Sequence, residues 1–91
     1  MPKIHLTYQH NLGLEQAKAR IDELAQQLRD RLAVNYNWRD NEVEFSRTGA
    51  SGSILVADKS VTADVELGMM FVAFKGEIER QLKSFFDQNL R

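Results

Sequence analysis

The sequence predicts an α+β domain: an antiparallel sheet of about five strands with two helices packed on one face, a two-layer sandwich with the element order β-α-β-β-β-β-α. Two segments have apolar residues at spacings of three and four, which is typical of amphipathic helices. The remaining segments alternate apolar and polar residues, and three consecutive short connections favour an antiparallel meander. A chain of 91 residues supports one core, so residues 1–91 are expected to form a single domain.

The first predicted strand and helix lie in the first third of the chain. Ile4, Leu6 and Tyr8 alternate with polar residues, so a strand with one buried face is expected there. Residues 10–13 then break the alternation. A helix is predicted over 14–32, where these apolar residues recur at helical spacing: Leu14, Ala17, Ile21, Leu24, Leu28 and Leu32. A single helix on a sheet is favoured over a coiled coil because the stripe covers only about two and a half heptads.

Four more strands are predicted between residues 36 and 67. Their alternating apolar residues are Tyr36 and Trp38, then Val43 and Phe45, then Ile54 and Val56, and finally Val61, Ala63, Val65 and Leu67. Tight turns are expected at 40–41 and 58–59, and a strand connection at 49–52, whose two glycines can take positive φ. The first strand could join either side of this meander.

A second helix ends the chain. Its apolar residues again follow helical spacing: Ile78, Leu82, Phe85, Phe86 and Leu90. Gly76 near its beginning costs about 0.5–1 kcal/mol relative to alanine. We therefore expect either close packing at Gly76 or a regular helix that begins after it.

Composition excludes several kinds of site and partner. The chain has no cysteine, so it has no disulfide scaffold, thiolate metal site or cysteine nucleophile. A formal charge of -1 and a pI of about 6.1 argue against nucleic acid as a partner. No secretory signal or integral membrane segment is recognisable, so a cytoplasmic location is expected.

One aromatic and basic segment superficially resembles a nucleic-acid surface. It contains Tyr36, Trp38 and Arg39, with Arg29 and Arg31 upstream, but Asp30 and Asp40 interrupt it. The alternation is better explained if Tyr36 and Trp38 are core aromatics at one end of the sheet.

No catalytic, cofactor-binding or metal-binding residues are predicted. His5 and His10 could act as general acids or bases, but neither has a recognisable partner, and both are expected to be solvent-exposed. The serines show no nucleophile-elbow context. Four carboxylates occupy the polar phase of their strands and are expected to keep the open face of the sheet wet: Glu42, Glu44, Asp64 and Glu66.

An apolar cluster without clear periodicity lies between the last strand and the second helix. We call residues 69–74 the apolar segment; its large members are Met69, Met70, Phe71, Val72 and Phe74. They could form an adaptable surface for a lipid-like ligand, a hydrophobic polymer or a partner chain. They could instead fill the open end of the core, which is slightly favoured because so small a domain needs its large apolar residues inside.

The chain resembles the polyhydroxyalkanoic acid system protein family over nearly its whole length. The resemblance is carried, in order, by His10-Asn11-Leu12-Gly13-Leu14 before a helix with Ala17 and Ile21, by Trp38 before a short strand, by Gly49-Ala50-Ser51-Gly52, and by Leu67-Gly68 followed by Phe74-Lys75-Gly76-Glu77-Ile78-Glu79. It implies a cytoplasmic bacterial protein linked to polyhydroxyalkanoate granules. It brings no established enzyme activity and no catalytic residues.

Three functional hypotheses follow from these observations. The first is a non-enzymatic accessory protein that associates through the apolar segment with a hydrophobic polyester granule surface or with granule proteins. The alternative is a small domain that binds a fatty-acyl or hydroxyacyl compound in a cavity between the sheet and the C-terminal helix, for which a volume of at least roughly 300 Å³ is expected. The third is an enzyme that uses His5, His10 or the strand carboxylates. A homodimer through a sheet edge or the apolar segment is also expected as a possible assembly.

Overall fold

The computed structural model describes residues 3–90 and contains one five-stranded antiparallel sheet with two helices. The strands are β1 (Lys3–Gln9), β2 (Asn35–Arg39), β3 (Glu42–Arg47), β4 (Ala50–Val56) and β5 (Ser60–Leu67). The helices are α1 (Leu14–Leu32) and α2 (Lys75–Asn89), and a short 3₁₀ helix at Val72–Phe74 precedes α2. The predicted α+β class and element order are confirmed.

The strand order is β1-β5-β4-β3-β2, and every neighbouring pair is antiparallel. The first strand therefore joins the meander beside β5, with Lys3 opposite Glu66 and Gln9 opposite Ser60. β1 and β2 form the two edges of the sheet.

The core lies between one face of the sheet and both helices. Fully buried strand residues on this face include Val43, Val61 and Ala63, and they pack with Ile21 of α1 and Phe86 of α2. These are the positions that the period-two and helical patterns assign to the inner faces. The outer face of the sheet carries the polar phase of each strand, and neither of the two helices within residues 3–90 packs on it.

Helix α1 begins and ends where the sequence pattern predicts. Gly13, with φ of +81°, precedes it, and Ala33 closes it in the left-handed conformation with φ of 57°. The Ala33 N–H donates to the Arg29 carbonyl at 3.1 Å, which satisfies one of the last carbonyls. Arg29 and Arg31 in the last turn complement the negative end of the helix dipole.

Two glycine predictions are corrected. The connection between β3 and β4 contains only residues 48–49, and only Gly49 takes positive φ, at +89°. Gly52 instead lies within β4, where a Cβ would come within 2.7 Å of the Asp64 carbonyl oxygen. Gly76 lies inside α2, and among the described residues no atom beyond its chain neighbours and the adjacent helix backbone comes within 4 Å of a Cβ placed there. Neither close packing nor a later helix start therefore explains Gly76.

Candidate apolar binding site

The apolar segment 69–74 forms a turn and the short 3₁₀ helix between β5 and α2. Its backbone is held by hydrogen bonds: the Gly68 N–H donates to the Gly49 carbonyl at 2.8 Å, and the Phe71 N–H donates to the Gly68 carbonyl at 3.0 Å. The two central positions of this turn, Met69 and Met70, normally favour small polar residues. An ordered backbone thus presents two long apolar side chains at the tip of a turn.

Four of the five large side chains of the segment lie at the surface. Met69 is 95% exposed, Met70 66%, Phe74 50% and Val72 43%. The interpretation of the segment as core filling is therefore wrong for these four residues. The interpretation as a surface is consistent with their exposure.

Phe71 connects the exposed segment to the interior. Its side chain is half-buried, and its ring packs against Gly49, where a Cβ would lie 3.1 Å from a ring carbon. The Arg47 guanidinium lies 5.0 Å from the ring centroid, within the range of a cation–π contact. The sharp turn at Gly49 and the position of Phe71 therefore depend on each other.

A partly open apolar cleft of about 420 Å³ lies between α1, α2 and the sheet. Its floor includes side chains of β4 and β5, among them Ala50, Ala63 and Val65, together with the bare backbone of Gly52. The walls carry larger apolar residues, which are Leu24, Leu28 and Leu32 from α1 and Ile78, Leu82 and Phe85 from α2. Phe71 also lines it, so the apolar segment borders the cleft.

Ala63 is fully buried, so the accessible floor of the cleft is formed by half-buried residues of the central strands, such as the register partners Gly52 and Val65. The cleft remains partly open between the two helices. Its volume exceeds the lower bound of about 300 Å³ for small-molecule sites. The sequence analysis predicted a cavity between the sheet and the C-terminal helix. The structure differs in that α1 forms a second wall of the cleft.

The carboxylates and His5 lie on the open face of the sheet. His5 Nδ1 and Asp64 Oδ1 are 2.5 Å apart in an exposed pair, and Glu44 accepts a hydrogen bond from Arg39 at 3.1 Å. Their expected place on the polar face is confirmed. Within residues 3–90 no three histidine or acidic side chains are grouped to hold a metal ion.

One row across the open face brings together the three residue types of a catalytic triad. The register places Ser53 opposite Asp64, and Asp64 opposite His5. In a triad the histidine stands between the serine and the carboxylate and removes the serine proton. Here Asp64 stands in the middle, so the imidazole is not placed to activate Ser53.

His10 is buried, so the prediction that it is solvent-exposed is wrong. It is 4% exposed and hydrogen-bonded on both ring nitrogens: Nε2 donates to the Ala57 carbonyl at 3.1 Å, and Nδ1 accepts the Leu12 N–H at 3.1 Å. These bonds fit the neutral ring with its proton on Nε2. His10 therefore holds two connections together.

The aromatic and basic segment is part of the core packing. Tyr36 and Trp38 are half-buried and pack against the core from the edge strand β2, as predicted. The Trp38 indole N–H donates to Asp22 at 2.9 Å, and Lys18 lies 5.4 Å from the Trp38 ring centroid. Arg29 covers the Tyr36 ring at 5.8 Å. These rings are engaged within the chain.

Sequence reasoning did not identify the cleft residues Arg31 and Arg47 as a possible binding group. Arg47 occupies the inner phase of β3, where a charged residue breaks the apolar alternation. That break was the available signal.

No helix within residues 3–90 combines the length and apolarity that crossing a membrane requires.

Comparison with known proteins gives one family. No significant match was found among curated proteins or among solved structures. The model of one protein family matches residues 4–90, which is nearly the whole chain and includes both the cleft and the apolar segment. The chain therefore belongs to the family described as "Putative polyhydroxyalkanoic acid system protein", a description that links it to the polyhydroxyalkanoate system.

Proposed function

We propose that this chain is a non-enzymatic accessory protein of the polyhydroxyalkanoate storage system that attaches to the polyester granule surface, or to the proteins coating it, through the apolar segment. The observation that carries the proposal is the exposure of Met69, Met70, Val72 and Phe74 along one short stretch. The family description supports the polymer as the relevant apolar material.

The energetics of this attachment follow from apolar burial. Fully burying one large apolar side chain contributes about 1.5–3 kcal/mol. The two methionines are the most exposed members, so together they could supply roughly 3–5 kcal/mol of the attachment. Methionine side chains also adapt to irregular surfaces, which suits an amorphous polymer.

The test is co-sedimentation with polyhydroxybutyrate particles. We expect Met69→Ser/Met70→Ser to bind roughly tenfold or more weakly than the parent, because the turn loses its apolar tip. Both side chains are exposed, so this variant is expected to fold normally, as checked by thermal unfolding.

Leu55→Thr is the matched control. Leu55 is 48% exposed, but it lies on the open face of β4, where it pairs with Thr62 and Glu42. This change removes exposed apolar area away from the segment while keeping a good strand former. Equal weakening by both variants, or no binding by the parent, would contradict the proposal.

A second candidate function is the binding of an acyl compound in the cleft. The specific observation in its favour is an apolar cleft of about 420 Å³ in so small a domain. Titration with soluble acyl probes tests it independently of particle binding. Binding of probes with no affinity for particles would favour this second function over the first.

A further inference from the structure

The charges that line the cleft have one sign. Among the described residues that line it, the ionisable side chains are Arg31 and Arg47, with no acidic residue. The other polar side chains of the two helices in the lining are neutral, namely Gln27, Gln81, Ser84 and Gln88. An apolar cleft with two guanidinium groups complements an apolar molecule with one anionic group.

Arg47 is held in place by the fold. Its Nη1 donates to the Leu32 carbonyl at 2.5 Å, and its Nε donates to the Thr48 carbonyl at 3.3 Å. These bonds use two of the five N–H donors of the guanidinium, and the Phe71 ring supports it from one side. A positioned guanidinium with donors left over is suited to a carboxylate.

Arg31, in the last turn of α1, supplies a second guanidinium on a long side chain. It is exposed, and its side chain forms no hydrogen bond or ion pair within residues 3–90. Its guanidinium is therefore available to an incoming anion. Arg31 and Arg47 approach the cleft from α1 and β3, respectively.

We propose that the cleft binds a free acyl carboxylate, with the chain along the floor formed by Val65 and Gly52 and the carboxylate at Arg31 and Arg47. This inference rests on the second candidate function, occupancy of the cleft by an acyl compound. A cationic amphiphile would meet two like charges and no acid. A neutral ester offers the guanidinium groups weaker acceptors than a carboxylate does.

The experiment is a calorimetric titration with probes that share one chain and differ in the head group: decanoate, methyl decanoate and decylamine. We expect decanoate to bind about tenfold more tightly than the methyl ester, because its hydrogen bonds are charge-assisted. Decylamine is expected to bind most weakly. From hexanoate to decanoate, each added methylene should raise the affinity about fourfold until the cleft is full.

Arg31→Gln is expected to remove most of the preference for decanoate over the ester. The matched control is Arg29→Gln, which removes the same charge from the same helical turn at a residue outside the cleft lining. Arg47→Lys keeps the positive charge but loses the planar donor group, so it should reduce the preference without abolishing it. Thermal unfolding identifies any variant that has lost its fold.

The outcomes test the carboxylate site separately from the binding of acyl compounds in the cleft. Equal affinity for all three head groups, or an equal effect of Arg29→Gln and Arg31→Gln, overturns the carboxylate site but leaves the cleft as an acyl site. No binding by any probe overturns both. Particle co-sedimentation tests attachment through the apolar segment, so neither result changes the conclusion about that attachment.

Discussion

Replacing His10 by alanine tests whether the buried imidazole holds the connection between β1 and α1 to the loop between β4 and β5. Its two ring nitrogens bond to the Ala57 carbonyl and the Leu12 N–H, each at 3.1 Å. The variant loses both bonds and leaves a space where the ring was. The backbone bond from the His10 N–H to the Lys59 carbonyl, at 2.8 Å, remains.

The expected loss follows from these contacts. Two neutral hydrogen bonds contribute about 1 kcal/mol each, and the unfilled space and the unpaired Leu12 N–H add to this. We expect His10→Ala to lower the free energy of unfolding by about 2–4 kcal/mol. For a domain of this size, that corresponds to a fall in Tm of roughly 10–20 °C.

Urea unfolding followed by circular dichroism measures the effect, and His5→Ala provides the control. His5 lies in β1, five residues before His10, but its side chain is 66% exposed and its partner Asp64 is exposed too. An exposed pair contributes about 0–1 kcal/mol, so the control should be nearly neutral. A His10→Ala variant within about 0.5 kcal/mol of the parent, or no less stable than His5→Ala, would refute the reasoning.

Three further substitutions have defined outcomes. Gly76→Ala should raise the free energy of unfolding by about 0.5–1 kcal/mol, since a Cβ has open space in α2; a loss in urea unfolding would contradict this. Ala33→Gly should stabilise by up to about 1 kcal/mol because Ala33 has φ of 57°, and an unchanged Tm would argue against strain there. Val65→Phe should fill the cleft and abolish decanoate binding while particle co-sedimentation stays at the parent level; retained titration heat would exclude the cleft as the site.

Much of the fold was predictable because its signals are local and periodic. The limits of α1 follow from apolar residues at helical spacing and from the break in the alternation at residues 10–13. The place of β1 beside β5 was not predictable, because the apolar alternation of β1 suits either edge of the meander. In the structure the centroid of the Tyr8 ring of β1 lies 6.0 Å from that of the Phe86 ring of α2, a tertiary contact that the alternation of β1 does not reveal.

The candidate site was predictable only in part, since exposure depends on tertiary structure. The apolar segment was identified, but its composition alone did not show that Met69 and Met70 occupy the tip of a turn. The burial of His10 depends on Ala57, a residue 47 positions away. Gly52 was predicted to lie in a connection, because the close approach of the Asp64 carbonyl that excludes a Cβ comes from a neighbouring strand.

The pairing of β1 with β5 has a consequence for how the chain reaches its native state. Lys3 lies opposite Glu66, whereas the strands from β2 to β5 are joined by short turns. Closing the long loop between β1 and β5 costs more entropy than closing the short hairpin turns. The meander should therefore form first, and β1 should pair with β5 late. During synthesis, β1 therefore waits for β5 to emerge from the ribosome, and substitutions in β1 should speed unfolding more than they slow folding.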